Sequence, residues 1–192
     1  MRRAVSSLQR TCLDGANFFA GVRVPSVARS NGDVVFRESM TNIDARIAEL
    51  GLTLPSPPKP MATYTTALRL GDLLYVSGTG PLRADGSYVS GRLGDDLDVA
   101  AGQAAAQLCG LAMLATVRAH AGSLDRVARL VKVLGFVHAT PEFVDHPKVM
   151  NGFSDLMVQI FGDAGLGARS AVGAPSLPSG IAVEVEAIFQ LR

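Results

Sequence analysis

Residues 181–189 read Ile-Ala-Val-Glu-Val-Glu-Ala-Ile-Phe, and this two-residue alternation constrains the chain more than any other feature. In a strand, alternate side chains share a face. Ile181, Val183, Val185, Ala187 and Phe189 form an apolar row that something must cover, while Ala182, Glu184, Glu186 and Ile188 form the other. Glu184 and Glu186 then point the same way, about 7 Å apart. For Glu186 a solvated strand face is the simpler reading. Glu184 is flanked by Ala182 and Ile188, so a carboxylate in a pocket competes with the solvated one.

The rest of the chain supplies partners for that strand. Residues 65–70 and 73–77 read as strands joined by Gly71-Asp72, a hairpin signal. Gly78-Thr79-Gly80-Pro81 breaks the pattern. Asp95, Asp96 and Asp98 precede an Ala- and Leu-rich segment, as acids do at a helix start. The predicted helix covers residues 99–121, with Ala101, Ala104, Leu108, Leu111, Ala115 and Arg118 near one face, and Gly122-Ser123 ends it. Residues 129–137 form a predicted strand and 149–161 a second amphipathic helix with Val149, Phe153, Leu156 and Ile160 in its stripe. Residues 167–170 read as a turn, 171–173 as a short strand and 181–191 as the long last strand. Upstream, residues 41–51 suit a short helix capped by Thr41 or Asn42. Pro55, Pro57, Pro58 and Pro60 then force an extended connector to Tyr64. These elements predict a single α+β domain over residues 40–192: one mixed sheet, both main helices on one face, the other face left to close against a subunit.

Residues 1–39 differ in composition. Arginines are scattered among Ser, Ala and Val, and Asp14 is the lone acid before Asp33. That pattern fits a mitochondrial transit peptide or, equally, an extension upstream of a start at Met40. The first reading places the protein in the mitochondrion and the second in the cytoplasm. Cys12 and Cys109 are the only cysteines, which speaks for a reducing compartment over a disulfide scaffold. The net charge of +1 and the lack of a basic stripe argue against a nucleic-acid footprint. No uninterrupted apolar run reaches the roughly 20 residues of a membrane span. His120, His138 and His146 have no zinc-site spacing, and no metal is expected.

Few residues offer chemistry. Arg169 follows the Gly-rich segment 162–167. Its guanidinium suits two-point capture of a carboxylate, against the ordinary alternative of a surface or ion-pairing arginine. Ser77 and Ser170 lack any readable His/Asp arrangement for nucleophilic work. His138 reads as a base or a packed strand-end residue. Tyr64 either lines a pocket or closes the core, and Asn151 is a pocket donor or an exposed helix residue.

Taken in order, these residues resemble the RidA/YjgF superfamily, the endoribonuclease L-PSP and chorismate mutase-like proteins. The resemblance rests on Tyr64 before the first strand, Ser77-Gly78 with Pro81, Asn151 opening the second helix, Ala168-Arg169-Ser170, Leu177-Pro178 and Val183-Glu184-Val185-Glu186-Ala187. The segment from Ile43 to Leu52, followed by prolines, resembles the longer YjgF-like branch. The resemblance implies a chorismate mutase-like fold and a homotrimer whose sheets form a central barrel, with ligand clefts between subunits. It implies enamine/imine deaminase activity on a small carboxylate-bearing substrate such as 2-aminoacrylate, without any cofactor. It makes Arg169 the carboxylate anchor and Glu184 the acid that positions water. Tyr64, Ser77 and Asn151 fall at substrate-binding positions. Ala171 stands where many members carry Cys, Gly167 where Pro is common, and Thr79-Gly80 replaces a Gln-hydrophobic pair; all three alter pocket shape. A non-catalytic carboxylate-binding trimer and, less favoured, an endoribonuclease are the other readings.

Overall fold

A computed structural model describes residues 42–192. The extension at 1–39, with its two alternatives, and Cys12 lie outside the described residues. The first element, α1 (Ile43–Glu49), starts where the Asn42 side chain accepts a hydrogen bond from Ala45 N. Then come the hairpin strands β1 (Ala67–Leu70) and β2 (Leu73–Thr79), the long helix α2 (Val99–Ala121), β3 (Val127–His138), α3 (His146–Phe161), β4 (Ala168–Ala174) and β5 (Val183–Leu191). Asp98 caps α2 by accepting from Ala101 N at 2.7 Å. Gly122 ends it in the left-handed region, φ 85°, which glycine enters without a Cβ clash.

The sheet runs β1-β2-β5-β3-β4. The last strand in sequence is thus its centre, antiparallel to β2 on one side and β3 on the other. β3 and β4 pair in parallel, so the sheet is mixed, as expected. Val183, Val185 and Phe189 are fully buried beneath the helices. α3 packs Met150, Phe153 and Leu156 into the same core. Across the opposite face runs a row of Leu68, Tyr75, Ile188 and Lys132, aligned through the strand registers. Leu68 is 61 % exposed there, so this face lacks a cover within the described chain.

Three sequence expectations need correction. The segment 167–170 is no turn: Ala168, Arg169 and Ser170 lie in β4, because parallel pairing with β3 starts at Lys132 opposite Ala168. The first strand starts at Ala67 rather than 65: the β2 irregularity begins at Ser77, whose hydroxyl donates to Thr65 O at 2.7 Å. The buried side of α2 is also rotated from the predicted stripe. Ala104 and Arg118 are exposed, whereas Ala105, Cys109, Ala112, Met113 and Thr116 are buried. A helix apolar on all sides has no periodicity to read. α2 has the length and hydropathy of a membrane span, yet residues from Ala105 to Val117 are largely buried against the sheet and α3.

Glycines let the two long helices approach. A Cβ on Gly152 of α3 would land on the backbone of Gln103 in α2, and one on Gly110 would meet the Leu156 side chain. Helix propensity alone favours Ala over Gly by about 1 kcal/mol. Backbone cannot swing aside, so sterics win. Gly152→Ala is therefore expected to destabilise by about 1–3 kcal/mol or more, measured by denaturant unfolding; a gain in stability would show that the helices stand further apart.

Candidate functional site

Glu184 leaves β5 on the face away from the helices and lies over an irregularity in β2. The β2–β5 register passes from Val76 opposite Ala187 to Thr79 opposite Val185, so Ser77 and Gly78 together face Glu186. Such a bulge bends the strand and re-aims its neighbours. Gly78 leaves the Glu184 carboxylate room to lie here, since a Cβ would meet that carboxylate. The Thr79 hydroxyl holds the bulge by donating to Ser77 O at 3.0 Å. Around the carboxylate opens a cavity of about 530 Å³. Its walls come from the proline connector (Pro58 to Tyr64), the bulge, Tyr88, Thr116 of α2, and the turn at Pro178 and Ser179. Ser179 adopts φ 54° in that turn, a left-handed conformation that a non-glycine residue holds only at some cost.

The cavity changes the proton affinity of Glu184. Burial raises its pKa above the ordinary 4.5, and the neighbouring Glu186 charge adds to the rise. Among the described residues no side-chain or backbone donor makes a hydrogen bond to this carboxylate. A carboxyl group that holds its proton more tightly, half-sunk in a pocket, is suited to proton transfer.

Arg169 is elsewhere. It pairs with Val133, which also pairs with Ala187 and is buried beneath the helices. Arg169 therefore points to the helix side, where α3 receives it. Its Nη1 donates to Asn151 Oδ1 and Ser154 Oγ, both at 3.0 Å, and its Nη2 to Pro147 O at 3.2 Å. Glu184 pairs with Phe136, three residues further along β3, and so lies on the other face. Within one chain the two groups cannot meet.

The remaining candidates divide between these two places. Tyr64 and Ser77 line the Glu184 cavity, and the Tyr64 hydroxyl accepts from Met61 N at 3.4 Å. Asn151 is absent from that cavity and orients Arg169. Ser154 was not singled out from sequence, although it stands at i+3 from Asn151 on α3 and so shares its side. Ser170 accepts from Lys132 Nζ at 2.9 Å on the open face. Among the described residues His138 Nδ1 is buried without a partner, as is Arg92 Nε. Among the described residues no group of three His, Cys, Asp or Glu could hold a metal.

The direction of the Glu184 shift sets a pH test. Its pKa is higher in the folded chain than in the unfolded one, so the folded state binds this proton more tightly. Stability is then lost as pH rises from about the ordinary value through the raised one. Glu184→Gln removes that loss. The Tm of the variant, relative to wild type, is expected to be more favourable at pH 7.5 than at pH 4. A relative gain toward acid would instead mean that donors hold the ionised form.

The family model described as "YjgF/chorismate mutase-like, putative endoribonuclease" matches residues 44–188. Protein TCP17 of Trypanosoma cruzi is 41 % identical over 151 residues, which is 78 % of this chain and 94 % of that protein. Among solved structures, Atu1372 of Agrobacterium tumefaciens, a protein of unknown function, is 42 % identical with a TM-score of 0.73, covering 80 % of this chain and 96 % of its own. A protein of Shewanella oneidensis MR-1 that bears the same endoribonuclease description is 29 % identical with a TM-score of 0.76, covering 79 % and 100 %. With its mixed sheet, its helices and its Arg169 and Glu184 segments, the chain belongs to the YjgF/chorismate mutase-like family.

Proposed function

We propose that the protein is an enamine/imine deaminase, hydrolysing reactive imino acids to 2-oxo acids and ammonia in clefts between the subunits of a homotrimer. The observation that carries this reading is the pair of half-sites on opposite faces of one sheet. Arg169 uses three of its five N–H donors on Asn151, Ser154 and Pro147 O. Two remain, enough for one two-point grip on a carboxylate. Glu184 waits in its cavity without a donor. Each half-site lacks what the other supplies, and a second copy of the chain brings them together. The open sheet face, with Leu68 and Tyr75, is an apolar surface for that copy.

The chemistry follows from the placement. Arg169 of one subunit anchors the substrate carboxylate. The enamine takes a proton from solvent at its terminal carbon and becomes the iminium form of the imine. Glu184 of the neighbour accepts a proton from water as the water oxygen attacks the imine carbon. It returns that proton to nitrogen, the carbon–nitrogen bond breaks, the hydroxyl gives up its own proton to solvent as it becomes the carbonyl, and ammonia leaves. A raised pKa suits a group that must both take and give a proton. The family description names an endoribonuclease, but RNA binding asks for several phosphate-neutralising cations. Among the described residues, the Glu184 cavity offers only Lys59.

Purified protein is expected to release ammonia from imino acids generated in situ by an amino-acid oxidase. Arg169→Ala should cut kcat/KM about 10- to 150-fold, the worth of charge-assisted hydrogen bonds. Glu184→Gln should cost ~10²–10⁴-fold in kcat. Unchanged rates in both would end this reading. Co-refolding the two inactive variants in equal amounts tests the clefts. If each site takes Arg169 from one subunit and Glu184 from the next, about a quarter of the wild-type rate returns. No recovery would place both residues in one subunit's site.

A further inference from the structure

Within one chain, before the second subunit's Arg169 enters it, the cavity around Glu184 is larger than 2-aminoacrylate needs. Its volume of about 530 Å³ falls in the range, about 300–1,000 Å³, that encloses ligands of many more atoms than a three-carbon acid. Its lining is also one-sided. Among the described residues, Glu184 and Lys59 are the only charged ones in it. Pro58, Met61, Ala62, Tyr64, Tyr88 and Ile181 line it as well, and the connector supplies most of these apolar residues.

The connector wall is built to last. Pro55, Pro57, Pro58 and Pro60 fix the backbone of the connector. The Tyr64 hydroxyl accepts from Met61 N at 3.4 Å, tying the end of the connector back on itself. Gly80, which also lines the cavity, leaves room for Ile181 and Tyr88, where a Cβ would crowd both. Yet Met61 is 77 % exposed, an apolar side chain turned to water at the mouth of a pocket. Methionine there is an adaptable contact for an apolar group of variable shape.

We infer that the connector wall is a side-chain specificity pocket, and that the protein prefers imino acids with large aliphatic or aromatic side chains over 2-aminoacrylate. For its chemistry this rests on the deaminase reading; for size and polarity it rests on the cavity alone. Glu184 then marks the reacting end of the pocket, and Met61, Pro58 and Tyr88 mark the end that receives the side chain. Apolar pockets discriminate by about 10- to 200-fold per methylene group, so the preference is measurable.

The test uses the full chain and separates binding from turnover. Pyruvate, 4-methyl-2-oxopentanoate and phenylpyruvate, products of the corresponding imino acids, are titrated by calorimetry. In parallel, ammonia release is followed from imino acids made in situ from alanine, leucine and phenylalanine. The two larger compounds are expected to bind at least about tenfold more tightly, and their imino acids to react with a kcat/KM at least about tenfold higher. In Met61→Asp the ratio should fall below about threefold, with Tm unchanged because the side chain is exposed. Pyruvate binding as tightly as the larger acids overturns the inference. So does binding of none of the three, or a ratio that survives Met61→Asp. A binding preference without any ammonia release upholds the pocket and removes the deaminase reading instead.

Discussion

Everything in this fold hangs on β5. It is hydrogen-bonded along both edges, to β2 and to β3, and its alternate residues divide the molecule into a helix-covered side and an open side. Val183, Val185, Ala187 and Phe189 are buried while Glu184 and Glu186 face away. A register slip of one residue would reverse every side chain. It would expose Phe189, whose burial is worth about 1.5–3 kcal/mol, and push two carboxylates under α2. Desolvating an unpaired carboxylate costs more than that. The strand is thus held in register by what it would bury as much as by what it does bury. Its partners are also remote, β2 lying about a hundred residues upstream. Contacts this non-local form slowly and late.

The same division decides the site. Because the side chains of one strand alternate, and because Val133 aligns Arg169 with Ala187, the arginine must lie on the helix side and the glutamate on the other. α3 makes use of this. Asn151 and Ser154, one turn apart, and the carbonyl of Pro147 at the start of the helix hold the guanidinium in one orientation. A cation fixed before its ligand arrives loses less conformational freedom on binding. The cost is that Arg169 and Glu184 stand on opposite faces of the sheet.

Some of this was legible in the sequence, and the reasons are specific. The alternation from Ile181 to Phe189 names a strand and its two faces outright. The helix starts are readable where a side chain caps them, as Asp98 does for α2. Arg169 and Glu184 were legible as a pair through the ordered motifs around them, but not which faces they occupy. That depends on both strands being registered against β3, a relation between segments far apart in sequence. β4 was read as shorter than it is for the same reason: its first residues are extended only because β3 pairs with them. The buried side of α2 left no periodic trace, since alanines and glycines surround the helix. Ser154 could be found only after Asn151 was known to face Arg169. The four prolines announced an extended connector, yet nothing local shows that it folds over the β2 bulge.

The connector and the bulge act on Glu184 together. Gly78 leaves room for the carboxylate to lie down over β2, in a largely apolar cavity that half-buries it. The raised proton affinity of Glu184 has that burial as its largest cause. An apolar side chain bound against Met61 and Tyr88 would displace more water, disfavour the ionised carboxylate further, and strengthen whatever polar contacts remain inside. Selection of the side chain and tuning of the acid would then have one physical origin. A substrate too small to fill the wall would leave water beside Glu184 and forgo part of its activation. On this argument the size of the side chain should enter kcat as well as KM, which a pocket that served only for binding would not produce.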